Sequence, residues 1–167
     1  MYLDDNDQRY PEFYDTWTCV PWARNAGIGV AVYERQPHER ALRVIIEPYV
    51  SAPEIWHCPS DSGEIHDNVT AGYNRRTPPF FGWHGASYQS ASLHNKMYGY
   101  PYVAGRAEAD IKTPADTAWI WDATYWHDIV AAWDPVANKR GFNNVAYCDG
   151  HVKPLLYNQW LQAAYGR

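Results

Sequence analysis

NNVAYCDGHVKPL, residues 143–155, is the stretch whose reading decides the fold. Two short runs, 144–148 and 151–155, carry Val, Tyr and Leu and flank the dipeptide Asp149-Gly150. Asp-Gly tolerates the positive φ angles of a type I′ turn, whose twist matches that of paired strands. The segment therefore reads as a tight β-hairpin with a two-residue connection. Period-two alternation puts Val145 and Tyr147 on one face, with Val152 paired across. Cys148, Asp149 and His151 fall at the tip, a grouping that also suits metal chemistry.

Outward from the hairpin the chain is rich in turns. Residues 117–121 (TAWIW) read as a strand ending at Asp122. Residues 155–165 read as a short closing helix with Leu156, Trp160, Leu161 and Ala164 on one side. The best internal helix covers 38–50, where Leu42, Ile45, Ile46 and Tyr49 keep helical spacing and Pro48 marks the end. Residues 51–106 are rich in Pro, Gly, Ser, Asn and Tyr and read as long loops with short strands. Residues 12–37 are irregular apart from a strand at 29–33, and 125–133 are aromatic and ambiguous. At the start, Tyr2-Leu3 reads as the tail of a helix running into Asp4-Asp5-Asn6-Asp7, with Tyr10-Pro11 as the stop. Such a beginning suggests a chain cut from something longer. With no internal repeat or linker, 1–167 reads as a single α+β domain.

Composition narrows the classes. The 167 residues carry a net charge of -5, which gives a phosphate backbone no electrostatic support, so no nucleic-acid partner is expected. No apolar run approaches the roughly 20 residues of a membrane helix. Aromatics are the outlier, with 9 Trp and 14 Tyr against 4 Phe. They supply the core of a fold poor in Leu and Ile, or an exposed platform for sugars or other partners. Cys19, Cys58 and Cys148 are odd in number and widely spaced, so sequence leaves all three disulfide pairings open, as well as none.

Several motifs, taken in order, resemble one family. Tyr2-Leu3-Asp4-Asp5-Asn6 with Tyr10-Pro11 is similar to the segment of bacterial pseudopilins that ends the long N-terminal helix and begins the head. Glu47-Pro48-Tyr49-Val50 followed by Cys58-Pro59-Ser60-Asp61 resembles the paired motifs of the subfamily with prepilin-type cleavage signals. Gly72-Tyr73-Asn74, the 113–122 stretch ending in Asp122, and 144–152 with its Asp149-Gly150-His151 fit three further positions. One departure stands out. The subfamily's closing domain carries a His separated by nine residues from its Asp-Gly, and this chain has Lys139 there.

The resemblance implies a pilin-like α+β head: an antiparallel sheet packed against helix, long aromatic-rich loops, a C-terminal β-hairpin and a short helix. It implies a structural and interaction subunit of a type II secretion or type IV pilus-like filament rather than an enzyme, with no cofactor required. The head would contact secreted cargo, a surface polymer or other subunits. The N-terminal apolar helix, missing here, would anchor the full-length protein in the inner membrane and pack against other pilin or pseudopilin subunits. The head would be extracytoplasmic, in the periplasm or at the cell surface, and monomeric in isolation.

Ser60 and Ser87 lie in no nucleophile-elbow pattern and no phosphate loop is present, so no catalytic residue is assigned. Asp122 ends one strand and Asp149 opens the turn. If those ends meet, Asp122, Asp149 and His151 form a mixed oxygen and nitrogen site for a divalent cation such as calcium. The competing reading has Asp149 satisfying turn amides and His151 pairing across the hairpin. The Asp4–Asp7 cluster lacks the spacing of a calcium loop, and His57, Cys58 and His66 fit no zinc module. Trp17, Trp22, Trp83 and Trp126 lie in the unmatched or ambiguous regions and are expected to form an exposed contact surface. A secreted carbohydrate-binding β module, stacking sugars on Trp and Tyr, is the alternative function.

Overall fold

The computed structural model describes residues 2–15, 19, 37–61, 65–68, 73–76, 81–82, 85–123 and 142–166. The expected strand at 29–33 and the aromatic stretch 125–133 lie outside them, as does Lys139. Among the described residues there are six strands: β1 (Ile65–Asn68), β2 (Tyr73–Arg76), β3 (Tyr88–Ser90), β4 (Ala118–Asp122), β5 (Phe142–Tyr147) and β6 (Val152–Leu156). β1 and β2 pair with each other, and the rest form an antiparallel sheet in the order β3-β4-β5-β6. The helices are α1 (Tyr2–Asp5), α2 (Leu42–Ile45), α3 (Leu93–Met97) and α4 (Tyr157–Tyr165). None is long and apolar enough to cross a membrane among the described residues.

The hairpin forms, but with a three-residue loop. The Tyr147 N–H donates to the His151 carbonyl and the Gly150 N–H to the Tyr147 carbonyl, each at 2.9 Å. Gly150 has φ +91, whereas Asp149 is not in the left-handed region that a type I′ turn demands. One glycine in the left-handed position is the arrangement of a type I turn closed by a bulge. Two contacts favour it: the Asp149 carboxylate accepts the His151 N–H at 3.1 Å, and the Cys148 N–H donates to the Thr117 carbonyl at 3.0 Å. The extra residue shifts the register, so that Val152 pairs with Ala146 instead of joining the face of Val145 and Tyr147.

Along β5, Asn143, Val145 and Tyr147 are buried while Phe142, Asn144 and Ala146 are half-buried. The buried face meets α4, whose Trp160 and Ala164 pack with Trp121, Val145, Tyr147 and Leu155. Trp121, only 1% exposed, meets Tyr165 edge-on with ring centroids 5.9 Å apart. Gly166 ends α4 in the left-handed conformation, φ 67. Leu156, expected on the apolar side of this helix, is instead the last residue of β6 and is half exposed.

Behind the sheet, Phe13, Leu42, Trp56, Ala86 and Ala104 form a second cluster. The single helix expected over 38–50 is broken into three turns: His38–Arg40, α2 and Glu47–Tyr49. Ala41 is extended (φ -72, ψ 135) because it bridges Tyr14. The Tyr14 N–H donates to the Arg40 carbonyl at 2.8 Å and the Leu42 N–H to the Tyr14 carbonyl at 3.3 Å. Tertiary pairing has overridden helical spacing here.

The N-terminal helix ends at Asp5, ahead of the stop expected at Tyr10-Pro11, and is closed by Asp7 and Gln8 in the left-handed region at φ 53 and 54. The Gln8 N–H reaches back to the Leu3 carbonyl at 2.9 Å. Residues 9–15 then run as a strap, bonded to Arg106, Gly105 and Leu93 in turn. At its end the buried Asp15 carboxylate accepts the Ser90 N–H and hydroxyl at 3.1 and 3.2 Å. Asp15 thus serves a backbone donor of β3, the edge strand, that no neighbouring strand takes.

Candidate functional site

The sheet face opposite α4 is covered only in part. Ala146 puts a single methyl near the C-terminal end of β5, and the register shift turns Val152 toward this side. The short turns at Glu47–Tyr49 and Pro53–Trp56, each opened by a proline in its first two positions, cross above. Between them lies a cavity of about 540 Å³, within the range of small-molecule sites. Ile120, Ala146 and Val152 form its sheet wall, and Ile46, Val50, Ile55 and Trp56 face them. Ile55 and Val152 are 63% and 62% exposed and form the solvent edge.

Polar atoms enter this apolar space from Cys58, Tyr88, Asp122 and Asn144. Cys58 and Asp122 are buried, so they mark the inner end. The Asp122 carboxylate accepts the Asn144 N–H at 2.7 Å, and the Asn143 side-chain amide donates to the Asp122 carbonyl at 3.2 Å. Burial pushes the Tyr88 hydroxyl up to about 12, with Cys58, Asp122 and Asp61 adding to the rise. Burial likewise raises the Cys58 thiol, and Asp122 and Asp61 push the same way. At neutral pH both groups keep their protons, so Cys58 is not an activated thiolate.

Cys58-Pro59-Ser60-Asp61 is held by one buried hydroxyl. Ser87 Oγ donates to Asp61 Oδ2 at 2.6 Å and accepts the Cys58 N–H at 3.1 Å. The same carboxylate oxygen accepts the Phe81 N–H at 2.8 Å, and the Ser87 N–H donates to the Trp56 carbonyl at 2.9 Å. This serine is occupied in fixing a loop.

The expected cation trio is not brought together. Asp149 and His151 do meet at the hairpin tip, with His151 Nδ1 2.6 Å from Asp149 Oδ1, and His151 stacks on Tyr147. Asp122 sits at the far end of β4, because Ala118 is the residue opposite Tyr147. Four residues at about 3.3 Å each put it roughly 13 Å along the strand from the tip. Among the described residues no group of three His, Cys, Asp or Glu side chains converges. In the acidic N-terminal cluster, Asp4 accepts from Gln8 at 3.2 Å and Asn6 donates to the Tyr2 carbonyl. His57 stacks on Phe81 with centroids 4.8 Å apart, and the His66 side chain is outside the described residues. Trp17, Trp22, Trp83 and Trp126 also lie outside them.

The chain matches no family model, no curated protein and no solved structure. The cavity was not foreseen from sequence. Its only local signal is the Cys-Pro-Ser-Asp turn. The partner of that turn, Ser87, is 26 residues from Asp61, and nothing in the chain between them announces the pairing.

Proposed function

We propose that this chain is the extracytoplasmic head of a pseudopilin-like subunit, structural and interactive rather than catalytic. The observation that carries the reading is the use of the buried polar groups. Ser87, Asp61, Asp122 and Asp15 each fix a loop or strand end. The described surface offers instead an apolar groove with exposed lips. The order of parts is consistent with it: a helical turn closing at Asp5, a strap onto the sheet edge, and an antiparallel sheet with a helix on one face. In the full-length protein an apolar helix entering Tyr2 would anchor the subunit in the inner membrane, then pack among pilin or pseudopilin neighbours in a type II secretion or type IV pilus-like filament. Cargo, a surface polymer or another subunit would meet the head.

The test is fractionation of the epitope-tagged native gene product. It should co-sediment with sheared filaments and return to the inner membrane when the assembly ATPase is disabled. Recovery only as a freely soluble secreted protein would reject the reading.

A carbohydrate-binding module is the second reading, favoured by Tyr98 and Tyr100. Their rings lie within 19° of parallel, with centroids 6.2 Å apart, and Tyr98 is 47% exposed. Such faces can stack sugars. Saturable changes in fluorescence across a polysaccharide panel, lost in Tyr98→Ala, would favour it over the filament head.

A further inference from the structure

We propose that the cavity between β4–β6 and the turns at 47–56 is a binding site for a neutral, apolar small molecule, a ring carrying a short alkyl chain. This goes beyond the filament reading and does not depend on it, so either can fail alone.

The strand register builds the floor. Ile120 stands opposite Ala146, and Ala146 opposite Val152, so three strands present one apolar row to the cavity. The methyl of Ala146 lies between two branched side chains and leaves that row hollow at its centre. Ile46, Val50 and Trp56 close the space from the other side.

Volume sets the size of the occupant. A dry cavity of about 150 Å³ is enough for one benzene ring. The space here is about 540 Å³, so a single side chain inserted by another protein would leave most of it empty, with its walls short of contacts. A free molecule with a ring and a few further carbons fills it. The lips, Ile55 and Val152, are exposed. They admit such a molecule from solvent, and covering them is itself favourable.

The lining sets the charge. Asp122 is the one acidic or basic side chain among the described lining residues. It is buried, and its carboxylate holds the Asn144 N–H at the end of the sheet. An ammonium or a carboxylate entering between hydrocarbon walls would lose its water, a cost that only a dedicated partner offsets. Asp122 is engaged by the backbone instead, so a neutral molecule is favoured over an ion of either sign.

Three probes of one skeleton test this on the full 167-residue chain: phenylbutanol, phenylbutylamine and phenylbutyrate, titrated at neutral pH and followed by amide chemical shifts. The alcohol should bind saturably and at least about tenfold more tightly than either ion. The shifts should centre on Ile120, Ala146 and Val152. Ala146→Phe should abolish them, and Val152→Glu, at an exposed lip, should weaken the alcohol at least about fivefold. Equal or tighter binding of either ion, no saturable binding of the alcohol, or shifts centred elsewhere would overturn the proposal. So would loss of alcohol binding as the chain concentration rises, because a second copy would then be the occupant. The wild-type shift map and the exposed Val152 keep the test standing if Ala146→Phe misfolds.

Discussion

The Asp122 carboxylate accepts the Asn144 backbone N–H at 2.7 Å, so a side chain takes over where the β4–β5 ladder stops. Asp122 is 2% exposed, and the bond joins the end of the sheet to the cavity. Asp122→Ala would leave a shielded N–H without an acceptor and should cost about 1–3 kcal/mol in urea denaturation. Asp122→Asn keeps an acceptor oxygen and should cost less than half as much. Equal losses in the two variants would mean that the hydrogen bond is not what matters.

Ser87 joins two loops through one hydroxyl. Ser87→Ala deprives Asp61 of a donor and the Cys58 N–H of its acceptor, with an expected loss of about 2 kcal/mol. Amide exchange at Cys58 should accelerate well beyond the change at Val145, in the sheet core. Uniform acceleration would point to general destabilisation instead.

The hairpin loop depends on one left-handed residue. Gly150→Ala at φ +91 should cost about 1–2 kcal/mol, with Gly150→Asn costing less. Space is not the issue, since an added Cβ meets no atom within 4 Å. For a chain of this size the shift in midpoint should be a few degrees. An unchanged midpoint for Gly150→Ala would mean that the turn relaxes to another form.

Asp15 gives the protein a pH dependence of unusual sign. Burial pushes its carboxyl up to about 7, against lowering by its Ser90 and Ser92 hydrogen bonds. Between about pH 4 and 7 the folded chain therefore holds a proton that the unfolded chain has released. This contribution to stability is fully present below about pH 4, falls as the pH rises, and is gone above about 7. Asp15→Asn cannot titrate, so wild type minus variant stability should decline across that window in chemical denaturation. A difference that is flat or rises with pH would contradict the assignment.

How much of this was legible depended on the range of the interactions. The hairpin, the strand ending at Asp122 and the closing helix carry local signals: Asp-Gly, alternation, and Trp160 with Ala164 at helical spacing. The hairpin register was not legible, because it rests on Asp149 holding the His151 amide and Cys148 reaching Thr117. Nor was the break at Ala41, which its bridge to Tyr14 imposes from 27 residues away. The cavity follows from both. Only with Val152 turned to this face, and 47–56 folded as separate turns, do Ile55 and Val152 become lips of one space. The proposed meeting of Asp122 with His151 treated strand ends as interchangeable, whereas the antiparallel register puts them at opposite ends of β4.

If this chain is, as we propose, the head of a membrane-anchored filament subunit, the native reading frame ahead of Met1 will show it. The expected result is a short basic leader followed by about 20 apolar residues running helically into Tyr2. A native start at Met1, or an ordinary cleaved signal peptide in place of that helix, would contradict it.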